Sequence, residues 1–255
     1  MKPEIKKYLC LTIDPVHVGA GGYRLGRVDN TIVRDPATDL PKIPGTSIAG
    51  SMREYYRLYL QENNGSEGDV SRIFGDEGHR GLLRFYDGQI ILFPVPSVKG
   101  TVWVTTAELL KYWCDVTVDD EKEIIAVHGM EPGNINLGWL YFMAKEGYEE
   151  LPSEVKEWAK RILAVPDSIF PHLVNDNLEI RTSVRIDPET GTAVSGALFT
   201  YEAIPRGTVI GFEIGFQEEF DIGKLVPYFR CLGIGGMGTR GFGRIEIRER
   251  GDNEP

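Results

Sequence analysis

The sequence predicts a mixed α+β domain, and three observations lead to that prediction. Segments with alternating or β-branched apolar residues are interleaved with segments whose apolar residues recur every three or four positions. The chain has 255 residues, of which 42% are hydrophobic and 26% charged, so it can enclose a sizeable core. The sequence shows no internal repeat, coiled coil or low-complexity tract. Interleaved strands and helices of this kind are typical of α+β proteins.

The first half is predicted to contain a strand, a long helix and a block of strands. Segment 8–19 indicates a strand that runs into a glycine-rich loop. The long helix is expected through IAGSMREYYRLYLQE, with Thr46 or Ser47 as its N-cap. Its buried stripe is predicted to be Ile48, Met52, Tyr55, Tyr56 and Tyr59. Segment 82–106 predicts strands that are broken at Pro94, Pro96 and Gly100, and AELLKYWCDV then predicts a helix.

The second half is predicted to begin with a helix and to end in strands. Segment 151–166 indicates a helix with Ser153 as its N-cap and apolar residues at helical spacing. Two strands are expected on either side of DPETGT, which is a turn signal. A further strand is predicted at GTVIGFEIGF. A short helix, a glycine-rich loop and a final strand with alternating charged residues then follow.

Composition restricts the classes of function. The net charge of −10 and the pI near 5.0 argue against nucleic-acid binding by bulk electrostatics, although a local groove can still hold phosphates. The three cysteines are isolated and have no metal-ligand spacing, which favours a reducing compartment. The longest apolar runs, such as 90–95, are too short to span a bilayer, and the N-terminus does not resemble a signal peptide. We therefore expect a soluble, cytoplasmic protein with no membrane partner.

The segment GIGGMGTRGFGR, residues 233–244, is the first candidate binding site. It holds six glycines and two arginines, and such a loop can present several N–H groups to an anion while Arg240 and Arg244 add charge-assisted contacts. It matches neither a Walker A loop nor a dinucleotide-binding fingerprint. By spacing alone, phosphate binding and a plain hairpin connection are equally good interpretations.

Two further candidates lie near the N-terminal half of the chain. The sequence IPGTSIAGSMR places a small-residue turn at a helix start with Arg53 in the second turn, which suits a phosphate, although an ordinary capped helix explains it at least as well. Asp29, with His17, Asp14 and Asp35 nearby in sequence, could bind a divalent ion or accept a proton, but loop aspartates are common. Hydrolases and zinc enzymes with the usual motifs are disfavoured.

Taken together, these segments resemble the RAMP superfamily (repeat-associated mysterious proteins) of CRISPR systems. IPGTSIAG is similar to that family's helix-start motif, and GIGGMGTRGFGR to its C-terminal glycine-rich loop. PVHVGAGGYRLGRVDNTIVRD, the strand block at 82–110 and VRIDPETGTAVSGALFTYEAIP are similar, in that order, to the first loop, central signature and thumb hairpin of the repeated backbone subunit of type III effector complexes. The Cmr type is the better match and the Csm type the second, and segment 117–150 has no counterpart.

The resemblance implies a single domain over 1–255 with a modified RRM-like, ferredoxin-like palm. It implies an inserted lid at about 60–80 and 115–175, a β-hairpin thumb at about 181–206 and the glycine-rich loop at 233–244. The partners would be CRISPR RNA, target single-stranded RNA, further copies of the same subunit and other type III subunits. The thumb would displace a base at regular intervals, which would let a 2′-hydroxyl approach the adjacent phosphorus in line.

The resemblance also implies a set of functional residues. Asp29 would be the catalytic residue of a metal-dependent endoribonuclease, with a divalent ion, Mg²⁺ or Mn²⁺, as cofactor and Asp29 as its ligand. The expected RNA contacts are His17, Ser47, Arg53, Gly235, Gly236, Met237 and Arg240. Ala49 stands where the family usually has Lys, so Arg53 is expected to replace that guide contact. Two alternatives stay open: a non-catalytic filament subunit that only binds the guide, and an enzyme that binds a small phosphate compound.

Overall fold

The computed structural model of the protein describes residues 4–21, 28–118, 123–147 and 150–251. Within these ranges, no helix is long and apolar enough to cross a membrane. Residues 22–27 of the predicted first loop, and residues 119–122 and 148–149 of the predicted lid, lie outside the described residues.

The described ranges contain strands and helices in mixed order, which confirms the α+β fold class. The strands are β1 (Glu4–Thr12), β2 (Lys42–Ile43), β3 (Leu83–Phe85), β4 (Gly88–Ser97), β5 (Gly100–Thr105), β6 (Ile124–His128), β7 (Gly133–Leu137), β8 (Leu140–Glu146), β9 (Ile162–Ala164), β10 (Glu179–Ile186), β11 (Ala193–Ala203), β12 (Val209–Phe216) and β13 (Ile245–Glu249). The helices are α1 (Gly45–Glu62), α2 (Glu67–Phe74), α3 (Ala107–Cys114), α4 (Ser153–Trp158), α5 (Phe170–Asp176) and α6 (Val226–Cys231).

One large sheet forms the centre of the molecule. Among the described strands its order is β13-β1-β12-β4-β5-β9-β6-β8-β7, with β2 paired to β4 and β3 paired to β12. The pairs are antiparallel except β5–β9 and β6–β8, which are parallel. Strands β10 and β11 form a separate two-stranded sheet, so the two arms predicted on either side of DPETGT do pair as a hairpin.

The sheet buries both of its faces. Successive side chains of a strand point to opposite faces, and accordingly Tyr8 and Cys10 of β1 belong to one apolar cluster while Leu9 belongs to another. The first cluster includes Met52 of α1, and the second includes Trp113 of α3. A third cluster lies around β4, β5 and β9 and is closed by α5. These packed faces fix the positions of α1 and of the loops that carry the candidate site, because Val16, Ile32 and Ile234 also belong to the first cluster.

The single long helix predicted at 151–166 is wrong. Helix α4 ends at Trp158, its N-cap is Pro152 rather than Ser153, and Ile162–Ala164 is strand β9. All three residues of β9 are buried, between β5 on one side and β6 on the other. A short apolar run that is buried on both faces has no periodicity to distinguish a strand from a helix.

The predicted breaks at Pro94 and Pro96 are also wrong, because both prolines lie inside β4. Strand β12 pairs with β4 only as far as Leu92, and beyond that residue β4 pairs with β5 alone. Proline has no N–H to donate, so it is tolerated in a strand where its nitrogen faces no hydrogen-bonded partner strand. The strands predicted at GTVIGFEIGF and at the C-terminus are confirmed as β12 and β13.

Candidate nucleic-acid interface and active site

The free edge of β11, on the side away from β10, anchors the candidate active site. Thr200 binds Asp29 three times: the Asp29 N–H donates to Thr200 Oγ1 at 2.9 Å, and Asp29 Oδ2 accepts from Thr200 N and Oγ1, both at 2.8 Å. Two backbone bonds continue this contact, from Asn30 N to the Thr200 carbonyl at 3.0 Å and from Glu202 N to the Asn30 carbonyl at 2.9 Å. The loop that carries Asp29 is therefore held on the root of the hairpin.

These contacts set the electrostatics of Asp29. Hydrogen bonds from the backbone and side chain of Thr200 lower the pKa of the Asp29 carboxyl, because they stabilise the ionised form. All of the bonds described for its side chain go to Oδ2. No other described residue donates to Oδ1, so this ionised oxygen is open to a ligand.

His17 lies on the same edge of β11 and is buried. Its Nδ1 is 2.6 Å from the carbonyl oxygen of Glu202. Because a carbonyl can only accept, Nδ1 carries the proton, and Nε2 of the neutral ring is an acceptor. A Cβ built on Gly19 would lie 3.2 Å from that Nε2, so a glycine at this position keeps the nitrogen uncrowded.

The glycine-rich loop at 233–244 packs directly against His17. Gly236 N donates to the His17 carbonyl at 2.8 Å. Gly235 has a φ of +84°, and a Cβ on it would lie 2.5 Å from the same carbonyl oxygen, so only glycine fits there. Met237, also at positive φ (+67°), begins the short 3₁₀ turn Gly238–Arg240. The loop and the His17 segment thus form one unit.

The hairpin joins this unit through one of its two faces. Directly paired residues of an antiparallel hairpin share a face, so Arg181 and Tyr201 lie together, and Thr182 and Thr200 lie on the opposite face. Arg240 donates to the Tyr201 hydroxyl at 3.1 Å, and Arg181 lies 4.6 Å from the centre of the Phe242 ring. This face of the hairpin therefore meets the glycine-rich loop through Tyr201 and through Arg181, which is also paired with Glu179, while Thr200 holds Asp29.

Helix α1 starts differently from the prediction. Its N-cap is Pro44, and neither Thr46 nor Ser47 caps it, because both are already helical. Asp87 does the capping: its Oδ1 accepts from Gly45 N at 2.8 Å, and its Oδ2 binds Lys42 at 2.7 Å. Since a carboxylate already occupies the first N–H of the helix, Gly45 N is not available to a phosphate. The side chain that caps the start of a helix can thus come from a distant part of the chain.

The two arginines of α1 differ in their surroundings. Arg57 pairs with Glu54 and Glu67. Arg53 has no ion pair or hydrogen bond with any residue that the structure describes, so its charge is available to a ligand. Helix α1 is tied to the glycine-rich loop by the Tyr55 hydroxyl, which donates to the Gly233 carbonyl. Ser47 makes no described contact with the other candidates.

The structure thus brings some of the predicted residues together and pairs others off. Asp29, His17, Gly235, Gly236 and Arg240 meet around the root of the hairpin, and Met237 lies in the same loop. Asp35 accepts from Ala37 N and Thr38 N, as expected of a turn residue, and Arg244 is paired with Asp14 at 2.5 Å. The sequence did not single out Thr200, Tyr201, Glu202 and Arg34. The first three lay in a predicted strand and Arg34 in the predicted first loop, and no local signal showed that they would meet.

Comparisons with known proteins relate the chain to one family. The family model of the RAMP superfamily matches residues 10–246. The CRISPR system Cmr endoribonuclease Cmr4 of Pyrococcus furiosus is 30% identical, over 80% of each chain. The CRISPR system Cms endoribonuclease Csm3 of Methanothermobacter thermautotrophicus is 27% identical, over 95% of this chain and 83% of the relative.

Solved structures show the same fold. A chain of the type III-B Cmr-beta complex bound to cognate target RNA superimposes with a TM-score of 0.79 at 20% identity, covering 98% of each chain. Oligomeric Cmr4 from Pyrococcus furiosus gives a TM-score of 0.64 at 21% identity, covering 96% of this chain and 99% of the other. At these identities, the likeness concerns the fold alone.

Proposed function

Since the chain belongs to the RAMP superfamily, we propose that it is the repeated backbone subunit of a type III CRISPR effector complex, most similar to the Cmr type. In this proposal, copies of the subunit assemble along a CRISPR RNA inside the cell, together with other subunits of the complex. Each copy binds the guide and cuts complementary target RNA. The relatives named endoribonucleases support the RNase activity.

The contact of Asp29 with the root of a two-faced hairpin is the observation that carries this proposal. Tyr201 and Arg240, which pairs with no described carboxylate, make one side of the root aromatic and basic, which suits a nucleic-acid strand. Asp29 is held at the edge by Thr200. A hairpin inserted between guide and target would then place the guide against the glycine-rich loop and the target beside Asp29. Ser47, Arg53, Gly235, Gly236 and Met237 are proposed as further guide contacts.

The proposed reaction is attack by an RNA 2′-hydroxyl on the adjacent phosphorus. The P–O5′ bond breaks, the leaving 5′-oxygen takes a proton from water, and the products are a 2′,3′-cyclic phosphate and a 5′-hydroxyl. Ionised Asp29 presents Oδ1 to the scissile nucleotide as an acceptor for the hydroxyl proton. His17 presents Nε2 as a second acceptor, which positions the target strand. The hairpin supplies the distortion that brings the hydroxyl in line.

A divalent ion, Mg²⁺ or Mn²⁺, fits this site as an ion shared with the RNA. Among the described residues, no three His, Cys, Asp or Glu side chains converge, so the protein alone offers no cage. Mg²⁺ is commonly held by one or two carboxylates together with substrate phosphates. Asp29 Oδ1 would supply one such oxygen as the alternative to accepting the hydroxyl proton directly. When bound, the ion would stabilise negative charge at the phosphate. We expect a chelator to stop cutting and added Mg²⁺ or Mn²⁺ to restore it.

Asp29→Asn in the reconstituted complex tests the catalytic role. The amide oxygen of Asn can still accept both bonds from Thr200, so the loop stays in place while the free carboxylate oxygen is lost. We expect cutting of a matched target RNA to fall by about 10²- to 10⁴-fold, the usual contribution of a positioned proton acceptor, with target binding unchanged.

Asp35→Asn is the matched control, because Asp35 also accepts two backbone bonds and lies in the same segment. Its cutting should equal that of the unmodified complex. If Asp29→Asn still cuts at the same positions and rate in an intact complex, the subunit binds the guide without being the nuclease.

A further inference from the structure

Glu202 is a buried carboxylate for which the proposed reaction has no direct use. Its side chain is 12% exposed, and that of its partner Arg34 is 17% exposed. Charged side chains are seldom buried unless they are fully paired. Burying such a pair costs desolvation energy, whereas apolar side chains of similar size would fill the same space without that cost. A pair of this kind beside the candidate site therefore calls for an explanation.

The backbone and side chain of Glu202 reach both loops of the site. Its N–H donates to the Asn30 carbonyl at 2.9 Å, one residue beyond Asp29. Its own carbonyl accepts the Nδ1 proton of His17 at 2.6 Å. Its Oε2 accepts from Ile32 N at 3.1 Å. One residue of β11 thus connects the hairpin, the Asp29 loop and the His17 segment.

Arg34 fixes the direction of the Glu202 carboxylate. Its Nη1 donates to Oε2 at 2.8 Å and its Nη2 to Oε1 at 2.7 Å, which is a two-bond fork. Its Nε donates to Asn175 of α5 at 3.3 Å, so the fork is also attached to the body of the protein. Any rotation of the hairpin root relative to the Asp29 loop would strain these bonds.

We propose that Glu202, held by Arg34, is a positioning residue that fixes Asp29 and His17 in one geometry relative to the hairpin. This inference rests on the proposed function. Glu202 itself touches no RNA, and it acts by holding the loop from Asn30 to Ile32 on β11. Displacing a reacting group by about 1 Å can lower a rate by about 100-fold, so loss of the fork should affect cutting before it affects binding.

Glu202→Gln in the reconstituted complex, with guide RNA and matched target, tests the inference. Gln keeps the size of the side chain but sets an NH₂ against the donors of Arg34 or Ile32. We expect single-turnover cutting to fall by about 10- to 100-fold, while complex assembly and target affinity stay unchanged. Arg34→Lys keeps the charge without the fork, and it should give a smaller loss of the same kind.

Glu246→Gln is the matched control, because Glu246 also receives a two-bond arginine fork, from Arg230, and its side chain is also 12% exposed. Its cutting rate should equal that of the unmodified complex. Unchanged cutting by Glu202→Gln, or a loss that runs parallel to weaker assembly or weaker target binding, would overturn the inference. If Glu202→Gln does not assemble, Arg34→Lys decides by the same criteria. Asp29→Asn, measured in parallel, separates the two proposals. If Asp29→Asn still cuts, the nuclease function is rejected, and this holds for every result obtained with Glu202→Gln.

Discussion

The Asp29 carboxylate owes its acidity to hydrogen bonds, and no cation among the described residues contributes to it. The causes that lower its pKa are bonds from Thr200 and from its own backbone. A carboxylate stabilised in this way stays ionised to lower pH than a free aspartate, whose pKa is about 3.9. Activity that needs the ionised form should therefore persist into acid conditions, with its lower limit set by Thr200.

Thr200→Val tests this dependence. Valine keeps the β-branched shape, but it removes the hydroxyl that donates to Asp29 Oδ2 and accepts from Asp29 N. One such hydrogen bond is worth about 1 kcal/mol, so cutting should slow about fivefold at neutral pH. Since the pKa of Asp29 then rises towards its ordinary value, the acid limb of the pH–rate profile should move to higher pH.

Single-turnover rates from about pH 2.5 to 8 in the assembled complex extend below the ordinary aspartate pKa of about 3.9 and measure both effects. Thr182→Val is the control, because Thr182 lies directly opposite Thr200 on β10 and makes no described bond to Asp29. An acid limb in Thr200→Val at the pH of the unmodified complex would contradict the assigned cause of the shift.

The two adjacent glycines of the loop should differ sharply in their tolerance of a side chain. Gly235→Ala places a Cβ 2.5 Å from the His17 carbonyl oxygen, at a residue whose φ is +84°. A Cβ on Gly236 would lie 3.7 Å from its nearest neighbour, a ring carbon of His17, and the φ of Gly236 is not positive. A non-glycine residue in the left-handed region costs about 1–3 kcal/mol. We expect Gly235→Ala to lower the free energy of unfolding by at least that amount and Gly236→Ala to change it little. Urea unfolding of the isolated chain measures both, and equal effects would contradict the close approach of Gly235 to His17.

At the scale of elements, the start of α1 depends on a residue outside the helix. Asp87→Ala removes the carboxylate that accepts from Gly45 N and binds Lys42. Loss of an N-cap costs about 1 kcal/mol, and thermal unfolding should show a decrease of that size. The Lys42 bond lowers the pKa of Asp87, so this stabilisation is present above the unfolded carboxyl pKa and is lost as the pH falls through the lower folded pKa. Below both pKa values, the variant and the unmodified chain should unfold alike.

The elements that the sequence predicted well are those whose signals are local. Helix α3 follows Thr106, whose hydroxyl accepts from Leu109 N, and the hairpin follows its turn residues. Strand β9 and the Asp87 cap could not be predicted in this way, because tertiary pairing decides both. The same holds for the candidate site. The glycine-rich loop can be recognised from its composition, but the bond between Asp29 and Thr200 joins residues 171 positions apart and has no local signal.

At the scale of the whole molecule, a net charge of −10 must be reconciled with the proposed binding to RNA. Several of the described arginines are already neutralised, as Arg57 is by Glu54 and Glu67 and Arg244 is by Asp14. Arg53 has no such partner among the described residues. RNA binding is therefore expected to depend on a few unpaired cations and on backbone N–H groups rather than on the overall field.

Arg53→Ala should consequently weaken guide binding whatever the guide sequence, and it should make binding less sensitive to salt. Each cation that neutralises a phosphate of single-stranded RNA contributes about 0.7 to the slope of log K against log salt, so the slope should decrease in magnitude by about 0.7. Arg57→Ala, one turn further along the same helix, removes a cation that is already paired and should leave the slope unchanged. Guide affinity titrated between 50 and 300 mM salt, roughly the range in which such slopes are linear, compares the two variants. Equal slopes for Arg53→Ala and the unmodified chain would exclude a phosphate contact at Arg53, and RNA binding would then rest on the glycine-rich loop and the hairpin.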